Sequence, residues 1–161
     1  AVGRLSDLGW GGRLRDLFAA GDREVPDDVF DAVVTVLKEW DWAARPAAVV
    51  GVPSRTRPRL VGSLARRIAR VGRLIDLGDL VRVGGGPPGA GAESNSVQRL
   101  AAVWDALAVP PAMAAELARL DGPVLLVDDL IDTGWTVTVA ARVLRQAGAP
   151  TVLPFALAVA G

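Results

Sequence analysis

Three short apolar runs alternate with segments of helical periodicity, and this order constrains the fold more than any other feature of the chain. The runs predict strands at residues 47–53, 124–127 and 151–160. Apolar residues at helical spacing predict helices at residues 25–40, 59–71, 97–109, 111–120 and 135–147. One or two further short strands are expected within residues 72–83. Because strands that alternate with helices pair in parallel, the sequence predicts an α/β fold, a small doubly wound parallel sheet with helices on both faces.

Two segments differ in composition from the rest. Residues 1–24 are rich in glycine and charge, and we interpret them as an N-terminal arm or linker with one short helix, which follows a preceding region of a longer protein. Residues 25–161 are expected to form the domain. Residues 84–96 hold five glycines and two prolines without a large apolar side chain, so they predict a mobile loop.

The chain contains neither cysteine nor histidine. This excludes disulfides, the common zinc sites, thiol nucleophiles and histidine-based triads. Any chemistry must use carboxylates, hydroxyls, arginines, backbone amides or Mg²⁺ held by oxygen. The apolar runs are too short to span a bilayer, and we expect a cytoplasmic protein without a membrane partner.

The segment "DDLIDTGWT", residues 128–136, combines two kinds of ligand chemistry. A turn that opens a helix presents free backbone amides to an anion, and it is predicted to hold phosphate through Asp132, Thr133, Gly134, Trp135 and Thr136. Asp128 and Asp129 leave the preceding strand, and they suit either the vicinal hydroxyls of a sugar or Mg²⁺. A phosphorylated ribose fits both halves.

Arginines cluster between Asp41 and Asp76, where the chain has no acid although its net charge is zero. The segment contains Arg45, Arg55, Arg57, Arg59, Arg66, Arg67, Arg70 and Arg73. It predicts a positive surface strip, and the candidates for contact with nucleic acid are Arg57, Arg59, Arg66, Arg67 and Arg70. A GC-rich genome is an alternative explanation for the abundance of arginine.

The segment 124–136 resembles the signature of type I phosphoribosyltransferases: four apolar residues, two acids, two variable residues and a short Thr-Gly-x-Thr turn. The resemblance implies that Asp128 and Asp129 hold the ribose of phosphoribosyl pyrophosphate (PRPP). It gives the 5′-phosphate to the turn, and Asp132 matches the general base of purine-salvage members. Trp135 departs from the family, where this position is small or lysine, and its indole would fill or cover the phosphate site.

A second segment, "VPSRTRP", resembles the pyrophosphate-binding loop of the same family and is most similar to the ComF-type branch. The residues implied to bind pyrophosphate are Pro53, Ser54, Arg55, Thr56 and Arg57. Residues 84–96 fall where the family has its flexible catalytic loop. The implied fold is the type I phosphoribosyltransferase fold, with Mg²⁺ accompanying PRPP or a nucleotide.

Each of these features has a simpler interpretation. Paired acids after a strand also occur in response-regulator receivers. Receivers have a lysine after their acids, however, and Lys38, the only lysine of this chain, precedes Asp128 and Asp129. Arg55 and Arg57 can be solvated loop charges, and residues 84–96 a plain surface insertion. With no tyrosine and only three phenylalanines, the chain has no obvious residue to stack on a nucleobase.

Nearly the whole chain is similar to the C-terminal region of RecQ-type ATP-dependent DNA helicases from actinobacteria. The similar segments include "VVGVPSRTRPRLVGSLARRIARVGRL" and "GPVLLVDDLIDTGWTVTVAARVLRQAGAPTVLPFALA". The chain lacks a G-x-x-x-x-G-K-[ST] phosphate loop, so it is not the motor. The resemblance implies an accessory domain that binds PRPP or a nucleotide, with catalysis left open. The alternatives are an active phosphoribosyltransferase and an inactive module that binds DNA or a partner, and a homodimer is also left open.

Overall fold

The computed structural model describes residues 1–83 and 107–161. The strands are β1 (Gly3–Arg4), β2 (Ala48–Gly51), β3 (Ile75–Asp79), β4 (Val81–Arg82), β5 (Leu107–Ala108), β6 (Val124–Ile131) and β7 (Val152–Val159). The helices are α1 (Trp10–Ala19), α2 (Asp27–Glu39), α3 (Pro58–Gly72), α4 (Pro111–Leu117) and α5 (Trp135–Gln146). The predicted loop at residues 84–96 and most of the helix predicted at 97–109 lie outside the described residues.

The main sheet has five strands in the order β1-β7-β6-β2-β3, and every neighbouring pair is parallel. Its central strands β2 and β6 are buried along nearly their whole length, as expected of strands covered on both faces. β4 and β5 form a separate antiparallel pair.

Alternate residues of the central strands pack into two different cores. Val49, Leu125 and Val127 belong to the cluster that contains the apolar faces of α1, α2 and α3. Val50 and Leu126 belong to the cluster formed with α4, α5 and β5. This alternation follows from the two-residue repeat of a strand. The predicted fold class, a small parallel sheet with helices on both faces, is confirmed.

Two local predictions were wrong. β6 continues to Ile131, so Asp128 and Asp129 lie within the strand and not after it. The reason is that β7 remains paired with β6 as far as the Ile131–Val159 register. Leu107 was assigned to a helix, but it lies in β5 opposite Arg82.

Residues 1–24 contribute to both the sheet and the core. β1 pairs with the edge of β7, and Leu14 and Leu17 of α1 are buried. Asp22 caps α3, since its Oδ1 accepts from the backbone amides of Arg59 and Leu60 at 3.0 and 3.1 Å. Whether these residues form a unit apart from residues 25–161 stays a prediction. No helix in the described ranges has the length and apolarity needed to cross a membrane.

Candidate functional site

The strand order creates a crevice at the carboxyl ends of β2 and β6. These strands are direct neighbours, but the chain continues from β2 to β3 on one side and from β6 to β7 on the other. In open α/β sheets, ligands bind at such a switch point, because the connections diverge and leave a gap. The segment 52–57 and the turn 132–134 both begin at this edge.

Asp128 and Asp129 bring two buried carboxyl groups to the crevice. Each is 5% exposed, and consecutive residues of a strand point to opposite faces of the sheet. Oδ1 of Asp128 accepts from the amide of Asp129 at 2.8 Å, and Oδ1 of Asp129 accepts from the amide of Leu130 at 2.9 Å. These bonds fix the carboxyl groups beside their own backbone.

Asp129 forms a buried ion pair with Arg57. Arg57 Nε lies 2.6 Å from Asp129 Oδ2, and the side chains are 17% and 7% exposed. Ser54 Oγ donates to the same oxygen at 3.4 Å and accepts from the amide of Arg57 at 3.0 Å. The guanidinium also lies over the ring of Phe18, 4.2 Å from its centroid. Asp129, a residue predicted to bind ribose, and Arg57, a residue predicted to bind pyrophosphate, are therefore bound to each other.

Asp128 has an unusual protonation. Burial raises the pKa of Asp128 from its ordinary 3.8 to about 7, and the side-chain hydrogen bond with Asp129 and the charge of Asp129 add to the shift. The hydrogen bond from the Asp129 amide and the charge of Arg82 oppose it. Near neutral pH the carboxyl group is partly protonated, so it can donate as well as accept a hydrogen bond.

Arg82 belongs to this site although no sequence pattern pointed to it. Its Nε and Nη2 donate to the carbonyl oxygen of Pro53 at 3.1 and 2.7 Å, and these two bonds tie Arg82 to the segment 52–57. Burial and the neighbouring charge of Arg55 lower the pKa of Arg82. Arg82 is one arginine among many in the sequence. Its place in the site depends on tertiary contacts, among them the pairing of β4 with β5 and the hydrogen bond from the Leu80 amide to Gly51.

The turn after β6 has the geometry of an anion site. Gly134 adopts a left-handed conformation with φ of 78° and begins α5, and amides in the first turn of a helix have no acceptor within it. Asp132 and Thr133 are exposed and Thr136 is half-buried. Trp135 is 43% exposed, and its amide donates to Thr133 Oγ1 at 3.4 Å.

The predicted arginine strip divides into two sets. Arg59, Arg66 and Arg70 are exposed, and their spacing along α3 aligns them on one helical face. Arg67 instead pairs with Asp27 at 2.9 Å, donates to the carbonyl of Val25 and lies over the ring of Phe30. Together with Arg57, which is held by Asp129, two of the five nucleic-acid candidates have a side-chain ion pair within the described part of the chain.

The acidic groups suit a shared rather than a fully protein-bound metal. In residues 1–83 and 107–161, no three acidic side chains converge on one point. Mg²⁺ is commonly bound by one or two carboxylates together with phosphate oxygens of the substrate and water. Asp128 and Asp129 supply two such carboxylates.

Comparison with known proteins gives a likeness to solved structures alone. No family model and no curated protein match the chain. A solved structure that is similar is the purine phosphoribosyltransferase from Pyrococcus horikoshii Ot3, at 21% identity and a TM-score of 0.47. The likeness covers 83% of this chain and 71% of that one. Function is therefore inferred from the chain's own residues.

Proposed function

We propose that this chain is a phosphoribosyltransferase-like domain whose crevice at β2 and β6 binds PRPP or a nucleotide. One observation carries the proposal: two buried carboxyl groups lie in the second half of β6, and a glycine turn follows this strand at the switch point of the sheet. The segment 52–57 faces them from the neighbouring strand end. Acids beside an anion turn match a ligand that carries hydroxyls next to a phosphate.

The turn supplies the phosphate half. The amides at the start of α5 and the hydroxyls of Thr133 and Thr136 are donors suited to the 5′-phosphate, and the positive end of the helix dipole favours its charge. Gly134 leaves open space beside its backbone, so a phosphate oxygen can approach closely. Trp135 is sufficiently exposed for its indole to lie along the ligand.

Asp128 and Asp129 supply the ribose half. A carboxyl group that is partly protonated suits a hydroxyl, because hydroxyls both donate and accept. Asp129 becomes available when Arg57 leaves it. Ligand binding is therefore expected to exchange the Arg57–Asp129 ion pair for two new contacts, ribose on Asp129 and pyrophosphate on Arg57.

The segment Pro53–Arg57 supplies the groups that would bind the pyrophosphate. Ser54 and Thr56 add hydroxyls, Arg55 is exposed, and Arg82 adds a third cation close to Arg55 and Arg57. Mg²⁺ would enter with the pyrophosphate, held in part by Asp128 and Asp129, and would neutralise phosphate charge.

Transfer to a base is the less supported half of the activity. It would break the bond from C1′ to pyrophosphate and form one from C1′ to a base nitrogen, with Asp132 accepting the nitrogen's proton. Asp132 is exposed on the turn and available for this role. However, Phe30 and Phe155 are buried in the core, and Phe18 lies under Arg57. None of the three phenylalanines is therefore placed to stack on a base. We propose ligand binding as the function, and transfer to a base as a separate activity to be tested.

Calorimetric titration with PRPP, ribose 5-phosphate and AMP, with and without Mg²⁺, tests the proposal. Micromolar binding of PRPP that requires Mg²⁺ and is lost in Asp128→Asn/Asp129→Asn would support it. The exposed pair Asp7→Asn/Asp121→Asn is the matched control. If the Asp128/Asp129 double variant binds PRPP as tightly as the wild type, the site is wrongly assigned. Release of pyrophosphate on addition of purine bases would show transfer.

A second candidate function is DNA binding as an accessory domain of a RecQ-type helicase. The sequence resemblance suggests the parent protein, and the exposed row Arg59, Arg66 and Arg70 favours contact with a phosphate backbone. Affinity for DNA through this row should fall steeply with salt. Arg66→Glu/Arg70→Glu should abolish it while leaving PRPP binding unchanged, and the Asp128/Asp129 double variant should do the reverse.

A further inference from the structure

A second cavity lies at the opposite, amino-terminal end of the sheet. It has a volume of about 410 Å³ and is enclosed by the ends of α2 and α3 and by the segments that lead into β2 and β3. This volume falls within the range typical of small-molecule sites. The cavity shares no residue with the crevice at β2 and β6, so an inference about it goes beyond the proposed function.

The floor of the cavity is apolar and buried. Phe30, Ile68 and Leu125 line it, and they are 4%, 4% and 1% exposed. They are part of the core beneath α2 and α3, so the cavity is a recess in the core and not a fold of the surface. An occupant would need an apolar body to gain free energy from this floor.

One wall of the cavity is held in place by its own contacts. Trp42 Nε1 donates to the carbonyl oxygen of Leu37 at 2.9 Å. This carbonyl lies in the last turn of α2, where it has no donor within the helix. The indole also stacks on Trp40 with the centroids 4.7 Å apart. A cavity with a fixed aromatic wall costs less ordering when a ligand binds.

The charge at the mouth has a single sign. Lys38 and Arg45 are exposed lining residues, and among residues 1–83 and 107–161 no carboxylate lines the cavity. In the described parts of the chain, neither cation forms a salt bridge. An apolar recess with two unpaired cations at its mouth is complementary to a molecule with an apolar body and an anionic head.

We propose that this cavity binds a small amphipathic anion, with its apolar tail against Phe30, Ile68 and Leu125 and its carboxylate between Lys38 and Arg45. The expected class is a medium-chain or aromatic carboxylate. A neutral alcohol of the same length should bind more weakly, and a cation of the same length should bind least.

The experiment titrates decanoate, decanol and decyltrimethylammonium into the ¹⁵N-labelled chain, the two ions below their micelle concentrations and decanol below its solubility limit. The indole signals of the tryptophans report where each molecule binds. Decanoate is expected to shift the Trp42 signal and leave Trp10 and Trp135 unchanged. Binding of the cation at equal affinity, shifts confined to other tryptophans, or no shift up to millimolar decanoate would overturn the proposal.

Two sets of variants locate the ligand. Lys38→Glu/Arg45→Glu should weaken decanoate about tenfold or more, as expected for the loss of two favourable charges and the gain of two repulsive ones. Arg4→Glu/Arg119→Glu changes the net charge equally at exposed positions away from the cavity and should leave the affinity within about twofold. Equal weakening in both would contradict the proposal. Val34→Phe, which fills the recess, should abolish binding while the circular dichroism spectrum stays unchanged; decanoate that binds a folded Val34→Phe normally would also overturn it.

Discussion

The two ends of the sheet differ in whether their charged side chains are buried or exposed. At the carboxyl end, Asp128, Asp129 and Arg57 are buried or nearly so, and Asp129 contacts both of the others. At the amino end, two charged lining residues, Lys38 and Arg45, stay exposed above an apolar floor. Burying an ion costs free energy unless a partner is in place. Stability at the carboxyl end therefore depends on keeping the Arg57–Asp129 pair intact, whereas stability at the amino end depends on the apolar floor.

The backbone explains why the ends differ. At the amino end, strand connections meet directly: the amide of Ala47 donates to Pro123 at 2.8 Å, and a Cβ on Gly122 would lie 2.9 Å from that of Ala47. At the carboxyl end, β2 stops at Gly51 while β6 continues to Ile131. This unequal length leaves room for polar side chains between the strand ends.

The largest effect should come from deleting residues 1–24, which support the carboxyl end from outside. The deletion removes the buried Leu14 and Leu17, the Phe18 ring beneath Arg57 and the Asp22 cap of α3. We expect cooperative thermal unfolding to be lost, as measured by circular dichroism. Leu8→Ser, at a fully exposed position, is the control and should leave the transition unchanged. A shortened chain that unfolds as cooperatively as the full one would show that these residues are a separate arm.

Arg57→Ala should be the most damaging single change at the carboxyl end. It leaves the Asp129 carboxylate buried without its partner, which typically costs about 3 kcal/mol of unfolding free energy. Urea denaturation measures the cost. Arg13→Ala removes an ion pair of nearly equal length, 2.7 Å, between exposed side chains, and should change stability little. Equal losses in the two variants would mean that burial does not distinguish the pairs.

The pH dependence should separate the two ends. Because the pKa of Asp128 is raised to about 7, the folded chain holds a proton that the unfolded chain has released between about pH 4 and pH 7. The contribution of Asp128 to stability therefore falls as the pH rises through that window, by up to about 1.4 kcal/mol per pH unit, and is constant above it.

Urea denaturation at pH 4.5 and pH 8 measures this contribution. Asp128→Asn should be more stable than the wild type at pH 8 and similar to it at pH 4.5. Leu125→Ala, at the floor of the amino-end cavity, should lose about 3 kcal/mol at both pH values. An Asp128→Asn variant that is destabilised equally at both would show that the carboxyl group is charged throughout.

The smallest effect should come from the turn. Gly134→Ala places a side chain at φ of 78°, which costs roughly 1–2 kcal/mol although the site has open space. Gly12→Ala in α1 is the matched control, because it lies within a helix and should stabilise by about 0.5–1 kcal/mol. Thermal melting of both variants should show opposite shifts, and a common direction would mean that the left-handed conformation of Gly134 carries no strain.

The sequence predicted the layers of this fold because each central strand is a continuous apolar run and each helix has a clear apolar face. The end of β6 was misplaced because acids inside a buried strand look like a strand end, and only pairing with β7 keeps them extended. Arg57 and Asp129 were both identified, but their contact was not, since they are 72 residues apart. Arg82 gave no signal for the same reason, as its contact with Pro53 depends on tertiary structure.

Helix α3 connects the two ends of the sheet. Arg57, its N-cap, is bound to Asp129, and its last turn contributes Ile68, Val71 and Gly72 to the distant cavity. A displacement of this helix that frees Arg57 for pyrophosphate would also change the shape of the recess. Thermodynamic linkage then requires reciprocity: an anion in the cavity and PRPP in the crevice would alter each other's affinity by the same factor.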